Sequence, residues 1–376
     1  MMKKIAYSLS AAVLAVSLLP WQSTHAATAE APVSVTPITN EITVQTEANF
    51  KNADDVHSFI INAARNHVSV INMSVKQDSD VNGSSGYVFY NSSIVKEAPG
   101  YDGFDALSTV IEQAHQYGIK VRAWVPQFQD KAAIDRNSSW QMRSIDDNGR
   151  ISTYTGQNGS EYYVNPFEQD VQNYERSIVK EVVTNYNIDG VVLSGMDFDT
   201  NRVDMNTNTI TSFRSTNNFD PKKLDFTKST DANKVAQWNS WKADQLAAYI
   251  KETSNNIRAI KPALPIGVQT DVTNTDGTSP NVQVFSPAVD FIMPVVSYDL
   301  TAEAVYGKDG IVATTEAQAN GKAVIPVLNP DLSTNHVLDI YNGLRTEQPE
   351  ISTVNYTTVG QYTDSLLRNV GLNAGY

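Results

Sequence analysis

The feature that most constrains this chain is an alternation. Eight short apolar runs recur along it, at residues 42–44, 68–75, 119–125, 191–196, 266–272, 291–296, 323–328 and 354–359. Most are separated by stretches in which apolar residues return every three or four positions. Short runs rich in Val and Ile read as strands buried on both faces, and the longer spacing reads as amphipathic helix. Residues 54–66 place Val56, Phe59, Ile60 and Ala63 on one face. Residues 104–117 do the same with Leu107, Val110, Ile111 and Ala114, and Gly118 follows where a helix terminator belongs. Asn165-Pro166-Phe167-Glu168 predicts a helix start, and Val171, Tyr174, Ile178, Val182 and Tyr186 continue its face. A long helix over 238–260 stops at Pro262, and further helices are expected over 334–344 and 362–370.

Strands alternating with helices demand a parallel sheet, and eight is the number that closes a barrel. The competing open, doubly wound sheet usually carries a glycine-rich phosphate loop after its first strand. No such loop occurs here. The expected fold is therefore α/β, a (β/α)8 TIM barrel in a single domain over residues 41–376.

Ahead of the barrel, Lys3 and Lys4 precede an apolar run from Ile5 to Leu19, broken by Pro20, with small residues at Thr24-His25-Ala26. This predicts a signal peptide over residues 1–26, cleaved near Ala26 and followed by a linker over 27–40. The run is too short for a membrane anchor, so no span is expected after cleavage. The predicted location is secreted, and an exported chain without cysteine suggests a Gram-positive exoprotein.

Composition removes several chemistries. With no cysteine in 376 residues there is no disulfide, thiolate metal site or cysteine nucleophile. Against 28 Lys+Arg stand 41 Asp+Glu, a formal charge of −13, which disfavours a nucleic-acid partner. His57, His67, His115 and His336 are scattered, with no H-E-x-x-H, so no metal is expected. Asp197-x-Asp199-x-Asn201 imitates the start of a calcium loop, but Arg202 stands where that loop needs Gly. No G-x-S-x-G marks a serine hydrolase.

Barrel active sites lie at the C-terminal ends of the strands. Those ends bring Ser74 and Lys76, Trp124 and Gln127, the segment Ser194 to Asp199, Gln269 and Asp271, Tyr298 and Asp299, and Asn329 and Asp331. Carboxylates, amides and aromatics together suit sugars: rings stack on C–H faces, amides bond hydroxyls, and paired carboxylates cleave glycosidic bonds. Asp197 and Asp199 share one face if the strand persists that far. Asp197 is the leading catalytic candidate, with Asp199 or Asp271 as its partner. Trp124 and Tyr298 are expected to stack on substrate, and Gln127, Gln269 and Asp299 to bind it.

Specific stretches carry a resemblance. Tyr101-Asp102-Gly103-Phe104-Asp105-Ala106-Leu107 leads into Glu112-Gln113-Ala114-His115, Tyr117-Gly118-Ile119 and Ala123-Trp124. Asn165-Pro166 and Asn187-Ile188-Asp189-Gly190-Val191 follow, and Ala259-Ile260-Lys261-Pro262 and Val289-Asp290-Phe291 continue the order. This arrangement resembles the family 10-like glycosyl hydrolase domain of bacterial secreted proteins. It is similar also to the barrel domain of poly-N-acetylglucosamine-processing proteins. The resemblance implies a (β/α)8 barrel and action on a polysaccharide or oligosaccharide, and a hydrolase of this kind is expected to need no organic cofactor. Members usually carry an Asp in a D-G-(I/V)-x-(F/L)-D pattern, where this chain has Ser194 followed by Gly195. Asp197 takes over that place only if the strand end is remodelled. Asp189 is expected to be structural, capping the turn into the fourth strand.

Two readings follow. One is a secreted, monomeric O-glycosyl hydrolase working through carboxylates. The other is a barrel that has lost catalysis and binds glycan or a cell-surface partner. The deacetylase alternative would need a metal-binding His pair.

Overall fold

The computed structural model describes residues 38–372, except 79–83, 157–158, 274–277, 297–300, 330–333 and 359, and several side chains between 334 and 341. The predicted signal peptide and most of the linker lie outside the described residues.

Eight parallel strands form the fold: β1 (Thr39–Val44), β2 (Val68–Ser74), β3 (Lys120–Pro126), β4 (Gly190–Ser194), β5 (Ile266–Thr270), β6 (Phe291–Pro294), β7 and β8 (Thr353–Thr357). β7 has two halves, Ala323–Val324 and Val327–Leu328, interrupted at Pro326, which has no N–H to donate. Its first half pairs with β6 and its second half with β8. β8 pairs in turn with β1, and β1 to β6 pair in chain order, so the sheet closes on itself. All eight predicted strands are present, and β1 begins at Thr39, inside the predicted linker.

The longer helices that follow the strands include α1 (Ala53–Arg65), α2 (Ala106–Gln116), α3 (Gln169–Asn185), α4 (Ala232–Ile260), α5 (Ile311–Gln318), α6 (Thr334–Glu347) and α7 (Asp364–Leu372). Asn52 caps α1 by accepting the N–H groups of Asp54 and Asp55, and Asp105 caps α2 through Ser108. Gly118 leaves α2 at φ +72°, the left-handed region that terminates helices. α3 starts at Gln169, later than Asn165-Pro166 predicts. Asn165 instead accepts the Phe167 N–H at 2.9 Å and donates to the Thr209 hydroxyl at 2.9 Å. Asp189 accepts the Val121 N–H at 2.8 Å and pairs with His115 at 2.8 Å, so it ties α2 to the start of β4 as a structural residue.

The barrel interior is mixed in polarity. Trp124, Val192, Phe291, Met293, Ile325 and Val327 form one apolar cluster inside it. Towards the N-terminal end, Arg122 pairs with Glu41 at 2.8 Å and lies over the Phe291 ring at 4.6 Å. Burial raises the Glu41 carboxyl and the guanidinium opposes that shift. Between β1 and β8, Thr43 donates to Asn355 at 3.0 Å.

Two excursions leave the strand C-termini. After β3 the chain makes an antiparallel hairpin, Arg143–Ile145 with Ile151–Thr153. After β4 it makes the helix Thr207–Thr216. Ile145, Met205, Ile210, Phe213 and Trp238 bind these excursions to α4 in a small core of their own, where Trp238 stacks on Trp241 at 5.4 Å. They build a wall on the side of the barrel where function is expected.

Candidate active site

β4 stops at Ser194, and Gly195 turns the chain at φ +66°. A Cβ at Gly195 would lie 3.1 Å from the Gln127 backbone nitrogen, so the turn needs glycine on both counts. The strand therefore does not persist to Asp197 and Asp199, the condition on which they were expected to share a face, and they take different partners. Asp199 is exposed and accepts the Tyr154 hydroxyl next to the hairpin.

Asp197 turns towards β5. Its Oδ1 accepts the Thr270 hydroxyl at 2.7 Å and the Asp271 N–H at 3.2 Å. Burial pushes its carboxyl up to about 6. The Ser279 and Thr270 hydroxyls and the Asp271 N–H pull against that, and the Asp271 carboxylate adds to it. Such a group is a proton donor in mildly acidic to neutral solution. Asp271 is held by Thr273, whose N–H and hydroxyl donate to its Oδ1 at 2.8 and 2.6 Å. The contact between the two residues is thus the Asp271 N–H on the Asp197 carboxylate, while the Asp271 carboxylate is bonded to Thr273. Asp271 lines a cavity of about 770 Å3 between the loop after β5 and the first half of α4.

Trp124 donates its indole N–H to Gln269 Oε1 at 3.0 Å. The indole is only 5 % exposed, so it belongs to the floor of the mouth rather than to an open stacking platform. Gln269 thus has its carbonyl committed to Trp124. Gln127 is not a ligand-facing residue. It is fully buried, its NH2 donates to Val125 at 2.8 Å, and its carbonyl accepts the Tyr249 hydroxyl. Tyr298, Asp299 and Asp331 lie outside the described residues. Among the described residues no group of three or more His, Asp or Glu is placed to hold a metal.

The structure joins Lys76, which the strand ends already offered, to residues that the sequence reading did not single out. Just past β2, Lys76 is fully buried and contacts Glu175 at 2.7 Å, Asp130 at 2.9 Å and the Gln127 carbonyl at 2.8 Å. Burial and the Asp130 carboxylate raise the Glu175 carboxyl, and Lys76 opposes them. This cluster joins the loops after β2 and β3 to α3. Asp78, also past β2, accepts Gln45 at 3.3 Å. Its position at a strand end was the available signal.

With the geometry in view, comparison with known proteins places the chain. Residues 33–307 match the sequence family described as Glycosyl hydrolase-like 10. The chain belongs to this family. Among curated proteins it is similar to an S-layer-related protein of Niallia circulans, 26% identical over 189 residues that make up 44% of this chain and 11% of that one. It is also similar to Glycosyl hydrolase DigH of Escherichia coli strain K12, 25% identical over 180 residues, 46% of this chain and 37% of that one. The chain thus spans well under half the length of these relatives. Among solved structures, the PgaB (BpsB) glycoside hydrolase domain of Bordetella bronchiseptica superposes with TM-score 0.66 at 15% identity, over 89% of this chain and 96% of that one. Alpha-L-fucosidase isoenzyme 2 of Paenibacillus thiaminolyticus gives TM-score 0.63 at 16% identity, over 90% and 49%. At these identities the two structures establish a barrel fold shared with glycosidases.

Proposed function

We propose that this glycosyl hydrolase-like protein hydrolyses glycosidic bonds of a polysaccharide at the C-terminal mouth of its barrel. The observation that carries the reading is Asp197, an acid raised to about 6 and held beside Asp271 at the adjoining ends of β4 and β5. Asp197 protonates the departing glycosidic oxygen. Asp271 is the second carboxylate, acting on water or on the anomeric carbon. Carboxyl groups about 5–5.5 Å apart give retention, and about 6.5–9.5 Å inversion. The NH2 of Gln269 bonds a substrate hydroxyl above the Trp124 floor. Export by the N-terminal signal, as a monomer, places this activity on extracellular glycan.

One observation favours a second reading, a barrel that binds glycan without cleaving it. Ser194 occupies the position where the family resemblance expects Asp, and its hydroxyl is buried at 2 % exposure without a partner among the described residues. A panel of purified polysaccharides, assayed for new reducing ends with wild type and Asp197→Asn, separates the two. Turnover in the wild type and its loss by a factor of about 100 or more in Asp197→Asn supports hydrolysis. Equal turnover in both rejects Asp197 as the acid. Binding without turnover by either protein supports the second reading.

A further inference from the structure

The cavity beside Asp271 is not accounted for by a pair of carboxylates. At about 770 Å3 it falls within the range of ligand clefts, roughly 300–1,000 Å3, and has room for more than the two sugars that flank a cleaved bond. Its back wall is the first half of α4, where Ala232, Ala236 and Ala243 keep the surface low. Asn239 stands among them. It is 7 % exposed, and its Oδ1 is buried with no hydrogen-bond partner among the described residues. An orphaned buried acceptor is costly unless something from outside donates to it. Phe226 supplies an aromatic ring to the same cavity.

Charge narrows the occupant. Apart from Asp271, the charged group among the described lining residues is Lys228, which lies at the surface and is paired with Asp225 at 2.9 Å. Among these residues no unpaired cation is available for a uronate or sulfate, and the net charge of −13 repels polyanions from a distance.

We propose that this cavity holds consecutive units of an uncharged glycan on one side of the cleavage point, with Asn239 Oδ1 accepting a sugar hydroxyl or acetamido N–H. The inference rests on the reading of Asp197 and Asp271 as the place of cleavage, but its test needs no turnover.

The test is calorimetric titration of the full protein carrying Asp197→Asn, so that nothing is hydrolysed. The probes are cellotetraose, the β-1,4-linked N-acetylglucosamine tetramer, its de-N-acetylated counterpart and tetragalacturonate. At least one uncharged tetramer should bind, and more tightly than either charged one. Asn239→Leu keeps the volume and removes the acceptor, and should weaken that binding about tenfold. Phe226→Ala is a second probe of the same cavity should Asn239→Leu fail to fold, and should also weaken it. Tighter binding of a charged tetramer, no binding of either uncharged one, or affinity unchanged in the cavity variants overturns the inference. Turnover that depends on Asp197 alongside unchanged binding in the cavity variants would sink the cavity proposal alone. Asn239-dependent binding without turnover in the wild type would sink the catalytic reading alone.

Discussion

Thr270, the last residue of β5, donates its hydroxyl to Asp197 Oδ1 at 2.7 Å across the gap between β5 and the loop after β4. The bond stabilises the charged carboxylate and so opposes the burial that raises Asp197 to about 6. The contact that helps to place the carboxyl therefore also lowers its proton affinity, with the Ser279 hydroxyl acting in the same sense.

If Asp197 gives a proton to the leaving group, the rate must fall as pH rises through about 6, because the donor is lost. Thr270→Val keeps the shape of the side chain and removes the donor. The carboxyl is then held higher, and the alkaline limb of the kcat/KM profile moves to higher pH. Profiles of wild type and Thr270→Val measure this. A limb that stays in place would assign the titration to another group.

A second buried acid gives a stability prediction. Asp204 is fully buried, accepts the Arg143 N–H at 2.7 Å and the Thr209 hydroxyl at 2.7 Å, and is raised from 3.8 to about 6, chiefly by burial. Its folded state holds the proton more tightly than its unfolded state. The associated stability is present below about 4 and is lost as pH rises through about 6. Asp204→Asn cannot titrate. The advantage of the wild type over this variant should shrink by up to about 3 kcal/mol between pH 4 and pH 7. Urea denaturation of both proteins across that window reads the difference.

The Lys76 cluster predicts a larger loss. Lys76→Met leaves Asp130 and Glu175 buried together without their cation, which costs about 3–5 kcal/mol. Gly86 leaves no space for Asp130 to retreat, since a Cβ there would already lie 1.9 Å from Asp130 Oδ1. Adding Asp130→Asn and Glu175→Gln to Lys76→Met should recover part of the loss. Denaturant midpoints of the single and triple variants measure it.

The strands were legible because burial writes itself as short runs rich in Val and Ile, as in Val68 to Val75 with three Val and one Ile among its eight residues. The end of β4 was less legible. Asp197 and Asp199 have strand spacing, but β4 stops at Ser194 and Gly195 turns the chain, so that spacing carries no strand alternation. Gln127 misled for a related reason: one residue past β3 it turns into the wall behind the mouth, where Tyr249 of the distant α4 takes its carbonyl. A contact made across 122 residues leaves no local pattern to read. Asn239 was hidden because it lies mid-helix, where sequence alone gives a polar residue no cavity to face.

A close approach inside the barrel gives the last prediction. A Cβ at Gly267 on β5 would sit 2.1 Å from the Phe291 ring on β6, and that ring is itself covered by Arg122. The ring cannot retreat without breaking the contact between Arg122 and Phe291, which lies beside the Glu41–Arg122 pair. Gly267→Ala should therefore destabilise by about 1–3 kcal/mol, the usual range for overpacking, or prevent folding. Phe291→Leu alone should destabilise modestly, since it removes ring volume from a filled interior. The two changes together should be less harmful than their sum, because the smaller Leu makes room for the added methyl. Thermal unfolding of the two single variants and the double variant tests this. Simple additivity would show that the strain is relieved elsewhere, by movement of the β5 backbone rather than of the ring.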